Sequence, residues 1–546
     1  DDRLCAEVNA NGFVEPGDFT SWIAAYNMGN FAADTNQNGV IEPGDFTSWV
    51  SAYNMGESGP GCAVAIGGGG TVNGSISFPG DVDTFRIGAR AGDDILITIS
   101  EDVPTVAELR LTLTAPDGTV VETDWAFVNQ RMDAFDVPAD GTYELTVREF
   151  YDRDLADYTM TAIVADDTMN VGNTPIESGI TRNATVTPGD IDTFSIEANA
   201  GDDLLFTMSE VGGDGDTELI VNVHGPDGEL IASDWAFVNM RLDVPDVPAD
   251  GTYTYVVREF YGGATTDFRF TAVVADGRLN ADNTQLRSGE TVTASLEPGD
   301  IDTFSILAQQ GDDLFLTIAE STAVAAELLV SIHGPAGELL SSDWAFENQR
   351  LDIADVPADG IYTIVVREFY GGDSIDFTMT ALVANGGIDA DDTRLTSGQT
   401  ASATMTPGDI DTFTIDAQAG DDLVLAIAET PDVAMELFIS IHGPSGQQLY
   451  SGWGFENQRV DLAELPADGN YTVIVREFFG GDTCNYAITA VVVDGTADAG
   501  SVGLSNGSPV AAEMLPGDID TFTISASAGQ DITVTTTETP SVASEL

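Results

Sequence analysis

Residues 7–18 read EVNANGFVEPGD and residues 34–45 read DTNQNGVIEPGD. A calcium loop needs oxygen ligands at positions 1, 3, 5, 9 and 12, a backbone carbonyl at position 7, and Gly at position 6 for its sharp turn. The first stretch supplies Glu7, Asn9, Asn11, Glu15 and Asp18, with Gly12 and the Phe13 carbonyl. The second supplies Asp34, Asn36, Asn38, Glu42 and Asp45, with Gly39 and the Val40 carbonyl. Two Asn-Gly turns would explain the glycines but not the oxygen-bearing residues around them. Calcium is therefore the expected cofactor. Each loop runs into FTSW[IV]xAYN, where Phe19, Trp22, Ile23 and Tyr26, and again Phe46, Trp49, Val50 and Tyr53, form one apolar helical face. Cys5 and Cys62 flank this segment as a disulfide clasp would, which implies an oxidising, extracytoplasmic setting.

A second set of carboxylates recurs along the chain. The string PGD[IV]DTF has its first Asp at 81, 190, 300, 409 and 518, a spacing of 109 or 110. If the strand after it folds back at Gly92 as a hairpin, Asp83 falls opposite about Ser100, beside Glu101, and Asp81 shares its face. Adding Glu108 gives Asp81, Asp83, Glu101 and Glu108, with equivalents Asp190, Asp192, Glu210, Glu218; Asp300, Asp302, Glu320, Glu327; and Asp409, Asp411, Glu429, Glu436. Like charges this close oppose folding unless a cation or a raised pKa intervenes. Two readings stand: one calcium ion per repeat, or solvated strand ends on an acidic rim. Acidic linkers at 280–284 and 389–393 could add ligands between neighbours.

Trp125, Arg131 and Arg148 recur in all four complete copies. They could dock sugar rings or a neighbouring repeat, or form an internal Trp–Arg–Glu brace with Glu149. His224, His333 and His442 are the only histidines, one per copy at the same HGP, with Ala115 taken as the corresponding residue of the first copy. They would lie far apart at strand ends, so no triad or zinc cage is expected. No GxSxG elbow or HExxH helix is present, and the chain reads as non-enzymatic. GGGG at 67–70 reads as a linker, and the sequons at Asn73, Asn183, Asn470 and Asn506 permit glycosylation.

The elements carrying these residues are strands. DTFSIEA and DLLFTMSE alternate around AGDD as a hairpin would, ELIVNVH and ELIAS flank a Pro-Asp-Gly turn, and PADG precedes a long strand. Many short strands punctuated by Gly and Pro predict tandem antiparallel β-sandwiches, with α-helix confined to the N-terminal segment. The expected division is 1–62, then repeats at 63–168, 169–279, 280–388 and 389–499, and a partial fifth at 500–546. Leu546 aligns with Leu437, so the fifth copy is read as a window on a longer array, or one completed by a partner. Cys484 aligns with Ile375 and is expected to be a buried free thiol. Asp1 opens directly into acidic sequence, which looks like a mature or trimmed end.

The 546 residues carry 91 Asp+Glu against 18 Arg and no Lys, a net charge of −73. With 43% hydrophobic residues this is a folding composition, not a disordered tail. Such a charge excludes nucleic acid as a partner and disfavours anionic membrane surfaces. No run of 18 or more apolar residues offers a membrane span.

The order PGDxDTF, AGDDL, GPDG, PADGTY and a final TA[VIL]V resembles the bacterial pre-peptidase C-terminal domain, over about 67–500. That resemblance implies a jelly-roll-like sandwich, found in tandem on secreted proteins as an accessory module. The tandem loop-helix units over about 5–56 look like a type I dockerin, a calcium-loaded double EF-hand. Together they imply a secreted or surface structural protein that extends, attaches or assembles, through self-association or another surface protein. The alternatives are the non-catalytic part of a large secreted hydrolase, or an adhesin for polysaccharide.

Overall fold

The computed structural model describes residue 23 and residues 64–537, except 103–106, 128, 167–171, 213–216, 321–326, 347, 430–435 and 456. The two loops at 7–18 and 34–45 and the Cys5–Cys62 pair lie outside the described residues. Of the two expected helical faces only Ile23 is described, and it is helical.

Among the described residues every other regular element is a β-strand. Repeat 1 has nine strands: β1 Val64–Ile66, β2 Gly68–Ile76, β3 Asp83–Ala89, β4 Asp94–Glu101, β5 Glu108–Thr114, β6 Val120–Phe127, β7 Asn129–Ala134, β8 Gly141–Glu149 and β9 Ala156–Ala165. They form a five-stranded sheet in the order β1-β3-β8-β5-β6 and a four-stranded sheet β2-β9-β4-β7. Pairing is antiparallel except at the edge, where β1 runs parallel to β3. Repeat 2 repeats the plan with β10 Thr174–Pro175, β11 Arg182–Val186, β12 Asp192–Ala198, β13 Asp203–Glu210, β14 Glu218–His224, β15 Leu230–Phe237, β16 Asn239–Val244, β17 Gly251–Glu259 and β18 Thr266–Ala275. Repeats 3 and 4 follow the same order. The chain is a tandem array of β-sandwiches.

Each sandwich encloses its own core. In repeat 1, Ile95, Ile97 and Ile99 of β4 meet Leu109, Leu111 and Leu113 of β5 and Tyr143, Leu145 and Val147 of β8. One sequence expectation fails here. The Asp-Asp turn after β3 is not a hairpin, because β3 pairs with β8 while β4 pairs with β7 and β9. Asp83 stands opposite Val147, not Ser100. The turn carries the chain from one sheet to the other, and alternation within each strand is the same in either case. The Pro-Asp-Gly turn is a hairpin as expected, with a bulge before Thr114 or His224.

The central strands are buried on both faces. All eight residues of β4 and of β13 are buried. One face of β4 looks into its own sandwich; the other looks into the next repeat. Leu96 and Ile163 of repeat 1 pack against Ile191 and Val256 of repeat 2. Leu205 and Val273 meet Ile301 and Val365, and Phe315, Leu382 and Ala384 meet Ile410 and Ile474. The four-stranded sheet of each repeat thus stacks on the five-stranded sheet of the next. Because these are opposite faces of one sandwich, successive repeats build a linear stack. With sheets about 10 Å apart, each repeat adds roughly 20 Å.

Candidate functional site

The recurring residues with chemistry gather at these junctions. Arg258 on β17 is fully buried and reaches into repeat 1, where it meets Asp133 on β7 at 2.5 Å. Arg367 meets Asp243 at 2.6 Å and Arg476 meets Asp352 at 2.5 Å. The same Asp also holds the Arg two residues before it: Arg131–Asp133 is 3.2 Å. That second Arg lies over a Phe of the following repeat, Arg131 over Phe260 at 4.5 Å and Arg241 over Phe369 at 4.4 Å. Burial pulls the Arg258 guanidinium below its ordinary pKa, while the Asp133 charge opposes that shift. The expected Trp–Arg–Glu brace is therefore corrected. In repeats 2–4 the second Arg of the pattern leaves its own sandwich for its neighbour. Glu149 instead accepts the backbone N–H groups of Tyr151 and Arg153. Trp125, Trp235 and Trp344 pack on Phe150, Phe260 and Phe369 of their own repeats.

The PGD[IV]DTF motif is a joint as well. Asp300 Oδ1 accepts the Thr181 hydroxyl at 2.5 Å from the preceding repeat, and Asp409 and Asp518 accept Thr291 and Thr400 at 3.0 and 2.9 Å. Asp190 receives Thr71 at a longer 3.4 Å. Asp81, with no described repeat before it, accepts the N–H groups of Ser77 and Val82. The second Asp of the motif turns inward. Tyr158 donates to Asp83 and Tyr486 to Asp411, both at 2.6 Å. Repeats 2 and 3 have Phe268 and Phe377 in the place of that Tyr. Burial, with the neighbouring Asp190 or Asp300 charge, pushes Asp192 and Asp302 up to about 7.

Strand ends bring Asp83, Glu101 and Glu108 to one end of the sandwich, as do the equivalents Asp192, Glu210, Glu218; Asp302, Glu320, Glu327; and Asp411, Glu429, Glu436. Among the described residues no group of three or more His, Cys, Asp or Glu side chains is arranged to hold a metal ion.

The three histidines occupy three separate junctions. His224 is buried beside Gly228 O at 3.0 Å, with Asp94 of repeat 1 at 3.5 Å; His333 and His442 repeat this with Asp203 and Asp313. Strand register places Thr114, not Ala115, at the corresponding position of repeat 1. Burial lowers the pKa of His333 and His442. A folded-state pKa below the unfolded value of about 6.5 leaves these groups neutral in the stack, and their stability contribution is full above that pH. Acid should therefore weaken the junctions of repeats 2 and 3 and of repeats 3 and 4 as pH falls below about 6, since the unfolded chain takes up protons first. His333→Gln should flatten that slope at the junction of repeats 2 and 3, measured by hydrogen exchange of its strands between pH 7 and 5. At the first junction the effects oppose: burial lowers His224 to about 4 and raises Asp94 to about 6. Between those values folded and unfolded pairs each hold one proton, so that junction should respond little.

A cleft of about 230 Å³ opens between repeats 2 and 3, lined by Asp234, Asn239, Met240, Arg241, Phe369 and Tyr370. Beside it Trp235 and Tyr370 are 49% and 61% exposed, and half-exposed Trp125, Trp344 and Trp453 recur along the array. Cys484 is a buried free thiol, as its alignment with Ile375 suggests. Among the described residues no helix is long and apolar enough to cross a membrane.

No family model matches the chain, and no curated protein matches it. Among solved structures, it is similar to the pre-peptidase C-terminal domain of a collagenase from Bacillus anthracis, with 14% identity over 19% of this chain and 96% of that one, at a TM-score of 0.15. It is also similar to PliG, a periplasmic inhibitor of g-type lysozyme from Aeromonas hydrophila, with 13% identity over 18% and 95%, at 0.15. A triple jelly-roll protein of an archaeal virus covers 63% of this chain and 92% of its own length, at 14% identity and a TM-score of 0.17. The assignment as tandem sandwiches stands on the strand pairing, not on these scores.

Proposed function

We propose that this chain is an extracellular structural or adhesive repeat protein: a stiff stack of sandwiches that extends and attaches, carrying a calcium-binding segment at its N-terminal end. The observation that carries this reading is the junction, formed three times with the same Arg–Asp contact and the same apolar plug. Repeats joined by flexible linkers would move independently; repeats that bury both sheet faces transmit load along the stack. The same chemistry is compatible with a spacer inside a larger secreted hydrolase, and a catalytic domain elsewhere in the same polypeptide would favour that version.

Calcium is assigned to Glu7, Asn9, Asn11, the Phe13 carbonyl, Glu15 and Asp18, and to Asp34, Asn36, Asn38, the Val40 carbonyl, Glu42 and Asp45. Removing it with EDTA should make residues 1–62 sensitive to protease while the sandwiches resist, because each sandwich has its own apolar core. A terbium soak should give anomalous peaks at both loops. Unchanged protease resistance in EDTA and no peak near residues 7–45 would remove calcium from the reading.

The exposed aromatic row favours one addition, attachment to a neutral polysaccharide. Trp235→Ala should weaken binding on a glycan array and lower the melting temperature only slightly, since its ring is half-exposed on Phe260; equal binding would reject it.

A further inference from the structure

The outer face of the five-stranded sheet differs between repeat 1 and the others. In repeat 2 that face presents Ile191, Ser195, Ile220, Val256 and the buried Arg258 and His224 to the preceding sandwich. The same positions in repeat 1 are Val82, Arg86, Arg110, Thr146, Arg148 and Thr114. A buried isoleucine has become Arg110 and a buried serine Arg86. With Arg148 they place three of the eighteen arginines on one face, against a single acidic side chain on that face of these strands, Glu144, which stands opposite Arg86 where repeat 2 has Thr254. All three are partly exposed, whereas Arg258, Arg367 and Arg476 are buried. Repeat 1 keeps the arginine, and no preceding repeat among the described residues supplies an Asp133 equivalent.

The chain before this face has the opposite charge. Residues 1–62 hold nine Asp and Glu against Arg3 alone, a net charge of −8. Two calcium ions would leave about −4, so the segment stays anionic whether or not its loops are loaded. The segment leads directly into β1, which lies on the edge of this sheet and pairs with β3, the strand carrying Arg86. Sizes agree too. Five strands span about 24 Å, and a compact body of some 60 residues measures about 27 Å across.

We propose that residues 1–62 dock on the outer face of the five-stranded sheet of repeat 1, through Arg86, Arg110 and Arg148, in the place a preceding sandwich takes on repeats 2–4. The array then begins with an electrostatic cap instead of an apolar plug. This goes beyond the calcium reading and does not depend on it.

Arginine footprinting with phenylglyoxal on the chain of residues 1–546 tests it. A protease site inserted after Cys62 allows the folded chain to be cut and the N-terminal fragment removed at high salt. Modification of Arg110 and Arg148 should then be about tenfold faster than in the uncut chain, as expected when a covered surface is opened to solvent. Arg394 and Arg459, exposed at 60% and 75%, should not change. In the uncut chain with calcium present, R110E together with R148E should expose residues 1–62 to protease. Equal footprints before and after cutting would overturn the proposal and leave a solvated polar cap. Protection that survives the cut and grows with protein concentration would also overturn it, assigning the face to a second copy. Loss of calcium binding alone, with the footprint difference intact, would reject only the calcium reading.

Discussion

Asp133→Ala should weaken the junction of repeats 1 and 2 by about 3–5 kcal/mol, since it strands a fully buried guanidinium without its counter-charge. Arg258 has 0% side-chain exposure and its other described partner is Asn222 at a long 3.4 Å. The reverse change, Arg258→Met, should cost less. Asp133 is 13% exposed and retains Arg131 at 3.2 Å. The double variant, Asp133→Leu with Arg258→Met, should recover most of the loss, because a packed apolar pair replaces a desolvated ionic one. In a stack, stability is the sum of repeat and interface terms, so losing one interface splits unfolding into blocks. Calorimetry should show repeat 1 melting apart from repeats 2–4 in Asp133→Ala and with them in the wild type. A single unchanged transition in Asp133→Ala would mean that the contact is peripheral to the junction.

Gly299→Ala should cost more than Gly80→Ala, although both occupy the same place in the PGD motif. Both have positive φ, +76° and +86°, so each substitution pays about 1–2 kcal/mol of left-handed strain. Only Gly299 meets its neighbour. A Cβ there would lie 2.4 Å from the Arg269 carbonyl oxygen of repeat 2, while one at Gly80 meets nothing within 4 Å. A backbone atom cannot swing aside, so the sheets must separate locally, at roughly a further 1–3 kcal/mol. Urea midpoints of the two variants measure the difference. Equal midpoints would mean that the junction opens without cost, and the face-to-face packing of these sheets would be wrong.

Both expectations rest on residues that the sequence marks without explaining. The PGD[IV]DTF spacing shows a repeat, and the acidic residues within it suggest an ion. In the folded chain its glycine and first Asp touch the preceding repeat, and its second Asp turns inward, accepting from Tyr158 in repeat 1 and Tyr486 in repeat 4. A signal was present in the strands: DILITIS and DLLFTMS carry apolar residues or threonines on both faces, the pattern of a strand covered on both sides. The substitution of Arg110 for Ile220, Leu329 and Phe438, and of Thr146 for Val256, Val365 and Ile474, marks the same surface from the other side, where the repeat pattern turns polar.

Period, strand alternation and turn residues were enough to determine the all-β class, the four complete repeats and the Pro-Asp-Gly hairpin, because strands and turns depend on residues only a few positions apart and the repeats on a motif that recurs every 109 or 110 residues. The sheet to which each strand belongs, and the destination of Arg258, were decided only by tertiary structure. Alternation records that a strand has two faces but not what covers them. Arg258 and Asp133 are 125 residues apart, and no local pattern records a contact that forms only when one sandwich is laid on another.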